Sequence, residues 1–288
     1  MVYFGTPAMA VPPLLALVDA GFEIALVVTR ADKRRGRGSA LIASPVKAAA
    51  LGCGLPVTHI VDDSLLVEAD LGVVVAFGQL IKPPLLARLP LINIHFSLLP
   101  RWRGAAPVER AILAGDATTG VCLMRLEEGL DTGPVFDRVE VEISPTASAQ
   151  DLREQLVAVG VEQLLRNLSR GLGPTHAQQG EPTYAAKLRP EEFEIDWRCS
   201  AQEINRLIRL GVAFCTFRGR RLKVLGANVV EQAGQPATFA EPDLVGCAVG
   251  SLRLVIVQPE GKAAMPALAW ANGARPTIGE QMNERSTS

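Results

Sequence analysis

Asn93 and His95 stand two residues apart in Leu91–Phe96 (LINIHF), an apolar run that reads as a buried strand. The two-residue period of a strand puts both side chains on one face. They fall near the carboxyl end of the run, where open α/β sheets take their ligands. An amide and an imidazole side by side can donate hydrogen bonds to one oxygen and move a proton, the two acts that acyl transfer requires. The same pair also reads as two polar groups satisfied by neighbouring backbone. The strand-end position and the amide partner set His95 apart from an isolated core histidine in a chain with only three. Asp131 follows in Gly129-Leu130-Asp131-Thr132-Gly133, a turn whose flanking glycines allow a sharp bend and a close ligand approach. A carboxylate there can orient His95, hold one tautomer, or take a proton from an incoming amine. On its own the turn reads more readily as an Asx turn bonding its own backbone. Asp-Thr-Gly is also an aspartic-protease triplet, but that chemistry needs a second carboxylate to share the proton, and the chain has no second copy.

A second kind of chemistry is written in charge. Arg30–Lys47 (RADKRRGRGSALIASPVK) carries six basic residues, Arg30, Lys33, Arg34, Arg35, Arg37 and Lys47, against the single acid Asp32. Charge runs are usually solvated loops. This one follows a strand, on the sheet edge of the candidate site, and a positive loop there suits a phosphate-rich substrate. A further group, Arg218, Arg220, Arg221 and Lys223, lies late in the chain, where alternate residues of a strand also read as its wet side. Other motifs fail. Gly5-Thr6-Pro7 turns from strand to helix without a G-x-G-x-x-G, so dinucleotide binding is weakly supported, and no P-loop, G-x-S-x-G elbow or H-E-x-x-H occurs.

The elements that must hold these residues follow from pattern. Apolar runs at Val2–Phe4, Glu23–Thr29, Gly72–Phe77 and Leu91–Phe96 alternate with helical patterns at 11–20, 46–51 and 105–114. That is the mark of an open, mainly parallel α/β sheet. Gly120–Leu126 and Pro134–Ile143 suit an antiparallel addition, and Ser148–Leu168 has helical spacing behind a Ser148-x-x-Asp151 start. Residues 171–182 (GLGPTHAQQGEP) read as a linker. Beyond it a short helix at 200–210 precedes runs at 214–217, 222–230, 244–249 and 252–258, the pattern of a small barrel.

Composition bounds the class. The 288 residues are 48% hydrophobic and 20% charged, which describes a globular chain of roughly two domains. Lys and Arg number 29 against 30 for Asp and Glu, a net charge of −1 that excludes a polybasic nucleic-acid coat but not one local basic patch. Five scattered cysteines without C-x-x-C argue against a disulfide framework or a structural zinc and for a reducing compartment. No apolar run approaches the ~18 residues that cross a bilayer, and the opening lacks the pattern of a signal peptide. The expectation is a soluble cytoplasmic protein.

The block NIHFSLLPRWRGAAPVERAILAGDATTGVCLMRLEEGLDTGPVF resembles the formyltetrahydrofolate-dependent formyltransferases. The likeness extends to the YFGTP opening, the GRG loop with its Ser-Pro-Val-Lys, VVVAFG, the TYAAKL-to-IDW junction and VQPEGKAAM. RWRGAAP and the barrel-like second half point to the branch acting on methionyl-tRNA. The resemblance implies a Rossmann-like formyltransferase domain over 1–170, a linker over 171–187 and an OB-like β-barrel tRNA-binding domain over 188–288. It implies Asn93, His95 and Asp131 as the catalytic set and Ser97, Leu98, Leu99 and Pro100 as the tetrahydrofolate signature. It makes Arg37 the loop arginine that enters the tRNA acceptor end, with Lys33, Arg35, Arg218, Arg220 and Lys223 as further tRNA contacts. The implied substrates are 10-formyltetrahydrofolate and initiator methionyl-tRNA, with no metal and a monomeric enzyme. Phe96 departs from the family by standing where many relatives carry Gly. The stretches 62–70 and 210–217 are also short, and 210–217 lacks the usual Pro- and Gly-containing loop. These loops are deleted or missing from the sequence as written, and the strand-forming run that resumes at once favours the second. Three rivals stand beside this reading: formylation of a small amine, a catalytically silent RNA-binding module, and a nicotinamide-dependent oxidoreductase.

Overall fold

The apolar runs of the first half form strands covered on both faces, so they contain almost no polar residue. A computed structural model describes residues 1–34, 41–61 and 68–283. It divides into two units, one of 1–108, 118–143 and 152–187, the other of 109–117, 144–151 and the chain from 188 on.

In the first part of the chain, β1 (Val2–Gly5) leads through α1 (Val11–Asp19) to β2 (Leu26–Val28). The hairpin strands β3 (Lys33–Arg34) and β4 (Leu41–Ile42) and helix α2 (Pro45–Gly52) precede β5 (Val57–Thr58). β6 (Gly72–Val75), α3 (Pro83–Arg88) and β7 (Leu91–His95) follow, then the short β8 (Arg103–Gly104) and α4 (Pro107–Ala114). β9 (Thr118–Arg125), β10 (Val135–Glu142), the helix α5 (Ala149–Arg170) and β11 (Tyr184–Ala185) complete it. Seven of these strands form a sheet in the order β10-β9-β7-β6-β1-β2-β5. The five from β7 to β5 are parallel, and β9 and β10 add an antiparallel hairpin beside β7. Every residue of β1, β6 and β7 is buried, as two-sided packing demands. The chain winds outward from β1 to β5 and returns at β6, so the crevice at the carboxyl ends of β1 and β6 is the topological switch point. Only glycine fits at position 5, where a Cβ would lie 2.9 Å from Ala10 Cβ and 3.2 Å from the Val75 carbonyl.

The expected strand over 23–29 narrows to Leu26–Val28, and α3 was not foreseen. The loose capping box at Ser148 forms with Asp in the acidic role: the Ser148 N–H donates to Asp151 Oδ2 (2.9 Å) and the Asp151 N–H to Ser148 Oγ (3.2 Å).

In the second unit α6 (Ala201–Ile208) starts at a full capping box of Ser200 and Glu203. The strands are β12 (Phe214–Phe217), β13 (Arg220–Val230), β14 (Phe239–Glu241), β15 (Leu244–Gly246), β16 (Ser251–Pro259) and β17 (Met265–Pro266), followed by α7 (Ala267–Ala274). They form one antiparallel sheet, β12-β13-β16-β15-β14, with β17 against β16. Irregular register around Gly226 lets β13 bend, and the sheet curls into a half-barrel. Its core is Trp197, Ile204, Phe217, Phe239, Leu254 and Trp270, with the rings of Phe217 and Trp270 edge to face at 5.2 Å. Residues 279–283 bridge the two sheet edges. The Phe239 N–H of β14 donates to Glu280 O (3.0 Å), and the Asn283 N–H donates to Thr216 O of β12 (2.8 Å). The short connection after α6 closes normally, with Gly211 at φ +74° donating to Ile208 O at 2.9 Å.

Candidate active site

His95 is the last residue of β7, and its ring is set by two neighbours. Nε2 lies 3.0 Å from the carbonyl oxygen of Trp102. A carbonyl only accepts, so Nε2 carries the hydrogen and donates it. Nδ1 therefore holds the lone pair of the neutral ring, and it faces Asp131 Oδ2 at 3.6 Å. The two side chains are 6% and 13% exposed, so a proton gained at Nδ1 meets the carboxylate with little screening by water. Asp131 Oδ2 is itself held by the Gly104 N–H at 2.7 Å. Asn93, buried, shares the face of His95 by strand alternation. The structure thus brings a buried acceptor of one proton, a balancing carboxylate and an amide to one end of the sheet.

The loop after β7 makes this arrangement possible. Trp102 adopts φ +63° and donates its N–H to Thr183 Oγ1 at 2.9 Å, which turns its carbonyl toward His95. Gly104 adopts φ +118°, and a Cβ there would sit 2.9 Å from the Ala185 carbonyl. β8 and β11 pair in parallel, Arg103 with Tyr184 and Gly104 with Ala185. The Arg103 guanidinium donates from Nε (3.0 Å) and Nη2 (2.7 Å) to Gln178 Oε1, and Gln178 Nε2 donates to the carbonyls of Asp131 and Gly133, both at 2.8 Å. Nothing in the sequence distinguishes Gln178 within its Gly-, Pro- and Gln-rich stretch. That stretch is no free tether: His176 exchanges two backbone hydrogen bonds of 2.8 Å with Val135.

Ser97, Leu98, Leu99 and Pro100 follow His95 after Phe96. Ser97, Leu99 and Pro100 are buried, with Ser97 Oγ donating to Arg101 O at 2.6 Å and Arg138 Nη2 donating to Leu99 O at 2.5 Å. Leu98 alone of the four keeps partial exposure, so the other side chains shape the loop rather than line an open surface. Cys122, which pairs with His95 in the sheet, has its thiol pushed up by burial, so it stays a neutral thiol beneath the site.

The basic residues divide. Arg35 and Arg37 lie outside the described residues, and only the backbone of Lys33, in β3, is described. Two members of the basic run serve the fold: Lys47 pairs with Asp32 at 2.6 Å, and the Arg30 guanidinium donates to Gly78 O. Arg218 is also engaged, donating to Glu280 Oε1 (2.6 Å) and Oε2 (2.9 Å) and to the carbonyls of Ala274 and Arg275. It sits at φ +49° beside Gly219 in the two-residue β12–β13 hairpin. Arg220 shares its face of β13 with the buried Leu222 and Val224, whereas Arg221 and Lys223 take the other face. The pleat therefore separates Arg220 from Lys223. The Arg221 guanidinium stacks 3.6 Å above the Phe214 ring.

Among the described residues no group of three His, Cys, Asp or Glu is placed to hold a metal ion, and no helix is long and apolar enough to cross a membrane. A family model described as "Formyl transferase" matches residues 1–168, and one described as "Formyl transferase, C-terminal domain" matches residues 187–275. The chain belongs to the formyl transferase family. Among its formyl transferase relatives, the methionyl-tRNA formyltransferase of Roseobacter denitrificans is 42% identical over 292 residues, covering 95% of each chain. That of Symbiobacterium thermophilum is 40% identical, covering 98% of this chain and 95% of its own. Among solved structures, an N-formyltransferase of Helicobacter canadensis in complex with folinic acid and dTDP-3-aminofucose aligns with a TM-score of 0.69 and 18% identity, over 90% of this chain and 98% of that one. The methionyl-tRNA formyltransferase of Clostridium thermocellum aligns with a TM-score of 0.55 and 16% identity, over 79% and 91%. At such identities the structures speak for the fold of a formyl transferase.

Proposed function

We propose that this formyl transferase moves the formyl group of 10-formyltetrahydrofolate to the α-amino group of methionine on initiator methionyl-tRNA. The observation that carries this reading is the extent of likeness. Relatives named methionyl-tRNA formyltransferase share 40–42% identity over 95% or more of both chains, the second unit as well as the first. The buried His95–Asp131 pair at 3.6 Å supplies the chemistry such a transfer asks for.

The folate co-substrate supplies a formyl carbon open to attack by an amine. An α-amino group titrates near ~8 and an esterified one lower, so much of it is already neutral at physiological pH and the protein must orient it and remove its proton rather than activate it strongly. His95 takes that proton at Nδ1, and the imidazolium is balanced by Asp131. Asn93 donates from its amide to the oxyanion that grows at the formyl oxygen, a role worth about 3–4 kcal/mol for one well-placed donor. His95 then returns the proton to the leaving nitrogen. Backbone groups of the Ser97–Pro100 loop, with Leu98, border the folate. The curled second unit acts as an OB-like barrel that meets the tRNA with Arg220 on one face of β13 and Lys223 on the other, while Lys33, Arg35 and Arg37 meet its acceptor end. The enzyme works as a monomer in the cytoplasm.

Steady-state formylation by Asn93→Ala and His95→Ala tests the reading. Each is expected to lose about 10²–10³-fold in kcat while still binding a folate analogue. Folded variants with near wild-type rates would sink it. Preference for a small amine, such as an amino sugar, over methionyl-tRNA would assign the other acceptor.

A further inference from the structure

Gln178 lies in a stretch whose composition reads as a tether, yet its carboxamide spends its hydrogen-bonding capacity beneath the catalytic pair. Oε1 accepts Arg103 Nε and Nη2 at 3.0 and 2.7 Å, and Nε2 donates to Asp131 O and Gly133 O at 2.8 Å each. The residues it grips are the ones that set the site. Arg103 stands between Trp102, whose carbonyl takes the His95 Nε2 hydrogen at 3.0 Å, and Gly104, whose N–H holds the Asp131 carboxylate at 2.7 Å. On the other side Gln178 ties down both ends of a turn in which Asp131 has φ +51°, a left-handed conformation that Asp adopts more readily than most L residues and that these two hydrogen bonds fix in place. A planar group with one acceptor and two donors is required, which among uncharged side chains of this length only glutamine offers. The strap is itself anchored on both sides, by His176 to Val135 and by Thr183, which receives the N–H groups of Trp102 and Arg103.

We infer that Gln178 is a positioning residue for formyl transfer: it locks the turn carrying Asp131 to the strand residue that joins the two anchors of the catalytic pair. The inference rests on the proposed roles of His95 and Asp131. It makes residues 176–185 part of the catalytic architecture rather than a spacer.

The test compares kcat, KM for 10-formyltetrahydrofolate and the pH dependence of kcat in the full-length wild type, Gln178→Ala, Asp131→Asn and the double variant. Gln178→Ala is expected to lower kcat roughly 10–100-fold and to move the acidic limb of the pH profile, as loss of a group that orients a reacting residue does. KM is expected to stay within about twofold, and on the Asp131→Asn background the same change should cost no more than about twofold. Gln178→Glu keeps the size and the Arg103 partner but turns a carboxylate on two carbonyls; it is expected to lose activity similarly, and it stands in if the alanine variant does not fold. The inference is overturned if Asp131→Asn is impaired while both Gln178 variants keep wild-type kcat. It is also overturned if Gln178→Ala costs as much without the Asp131 carboxylate as with it, since that marks a general structural role. If Asp131→Asn is itself fully active, the reading of the site has failed and this inference falls with it.

Discussion

His95 owes its orientation to a main-chain carbonyl, and in the proposed mechanism this decides which nitrogen takes the proton. With Nε2 tied to Trp102 O, the ring nitrogen that the proposed mechanism uses is Nδ1, on the Asp131 side. The arrangement then depends on Trp102 and Gly104 keeping their positive φ angles. Gly104→Ala puts a methyl 2.9 Å from the Ala185 carbonyl at φ +118°. The expected outcome is a loss of about 1–3 kcal/mol of stability, seen as a lowered Tm, with a fall in kcat larger than that of a surface Gly→Ala change. A variant with unchanged Tm and kcat would show that Asp131 does not depend on the Gly104 N–H. The spacing of Asn93 and His95 was legible because a strand has a period of two. Asp131 was legible only as a turn residue. The resemblance, not residue spacing, makes Ser97, Leu98, Leu99 and Pro100 the proposed folate loop, and of the four only Leu98 keeps partial exposure. Gln178 could not be found, because its partner Asp131 is 47 positions away and a lone glutamine carries no spacing.

Long periodic segments were readable at the scale of elements, and short closing pieces were not. Ser148–Leu168 became the 22-residue α5, and 252–258 became β16. The helix 267–274 and strand 239–241 are brief and mixed in composition, and they exist because the half-barrel needs covering and an edge. The segment 279–283 joins the two edges, and Arg218 and Glu280 clasp it at 2.6 Å. The Arg218 guanidinium, by its hydrogen bonds first, holds the Glu280 carboxyl down to about 2 from the usual 4.5. A carboxyl depressed on folding contributes stability that is present above its unfolded value and lost as pH falls toward the folded one. Glu280→Gln should therefore lower Tm at neutral pH, and the gap from wild type should close between about pH 4.5 and 2. Thermal melts across that range decide it. A gap that stays constant with pH would mean that the carboxylate charge does not hold the clasp.

The net charge of −1 argues that a tRNA is held at a few places rather than over the whole surface. Of the basic residues singled out in the sequence, Arg30, Lys47 and Arg218 each have a partner within the fold, which competes with any phosphate for them. The proposed tRNA contacts are Lys33, Arg35 and Arg37, whose side chains lie outside the described residues, with Arg220, Lys223 and the Phe214-stacked Arg221 on the second unit. If about five of these meet phosphates, the logarithm of the tRNA association constant should fall against the logarithm of salt with a slope on the order of −4 to −5. Arg37→Ala should reduce that slope by about one and weaken use of methionyl-tRNA while leaving folate-analogue binding intact. Arg218→Ala should leave the slope as it is and lower Tm, because its guanidinium already serves Glu280 and two carbonyls. Filter binding at graded salt with melting curves on the same samples separates the two arginines. A slope near −10 would instead require a broad basic surface that this chain does not have the charge to build.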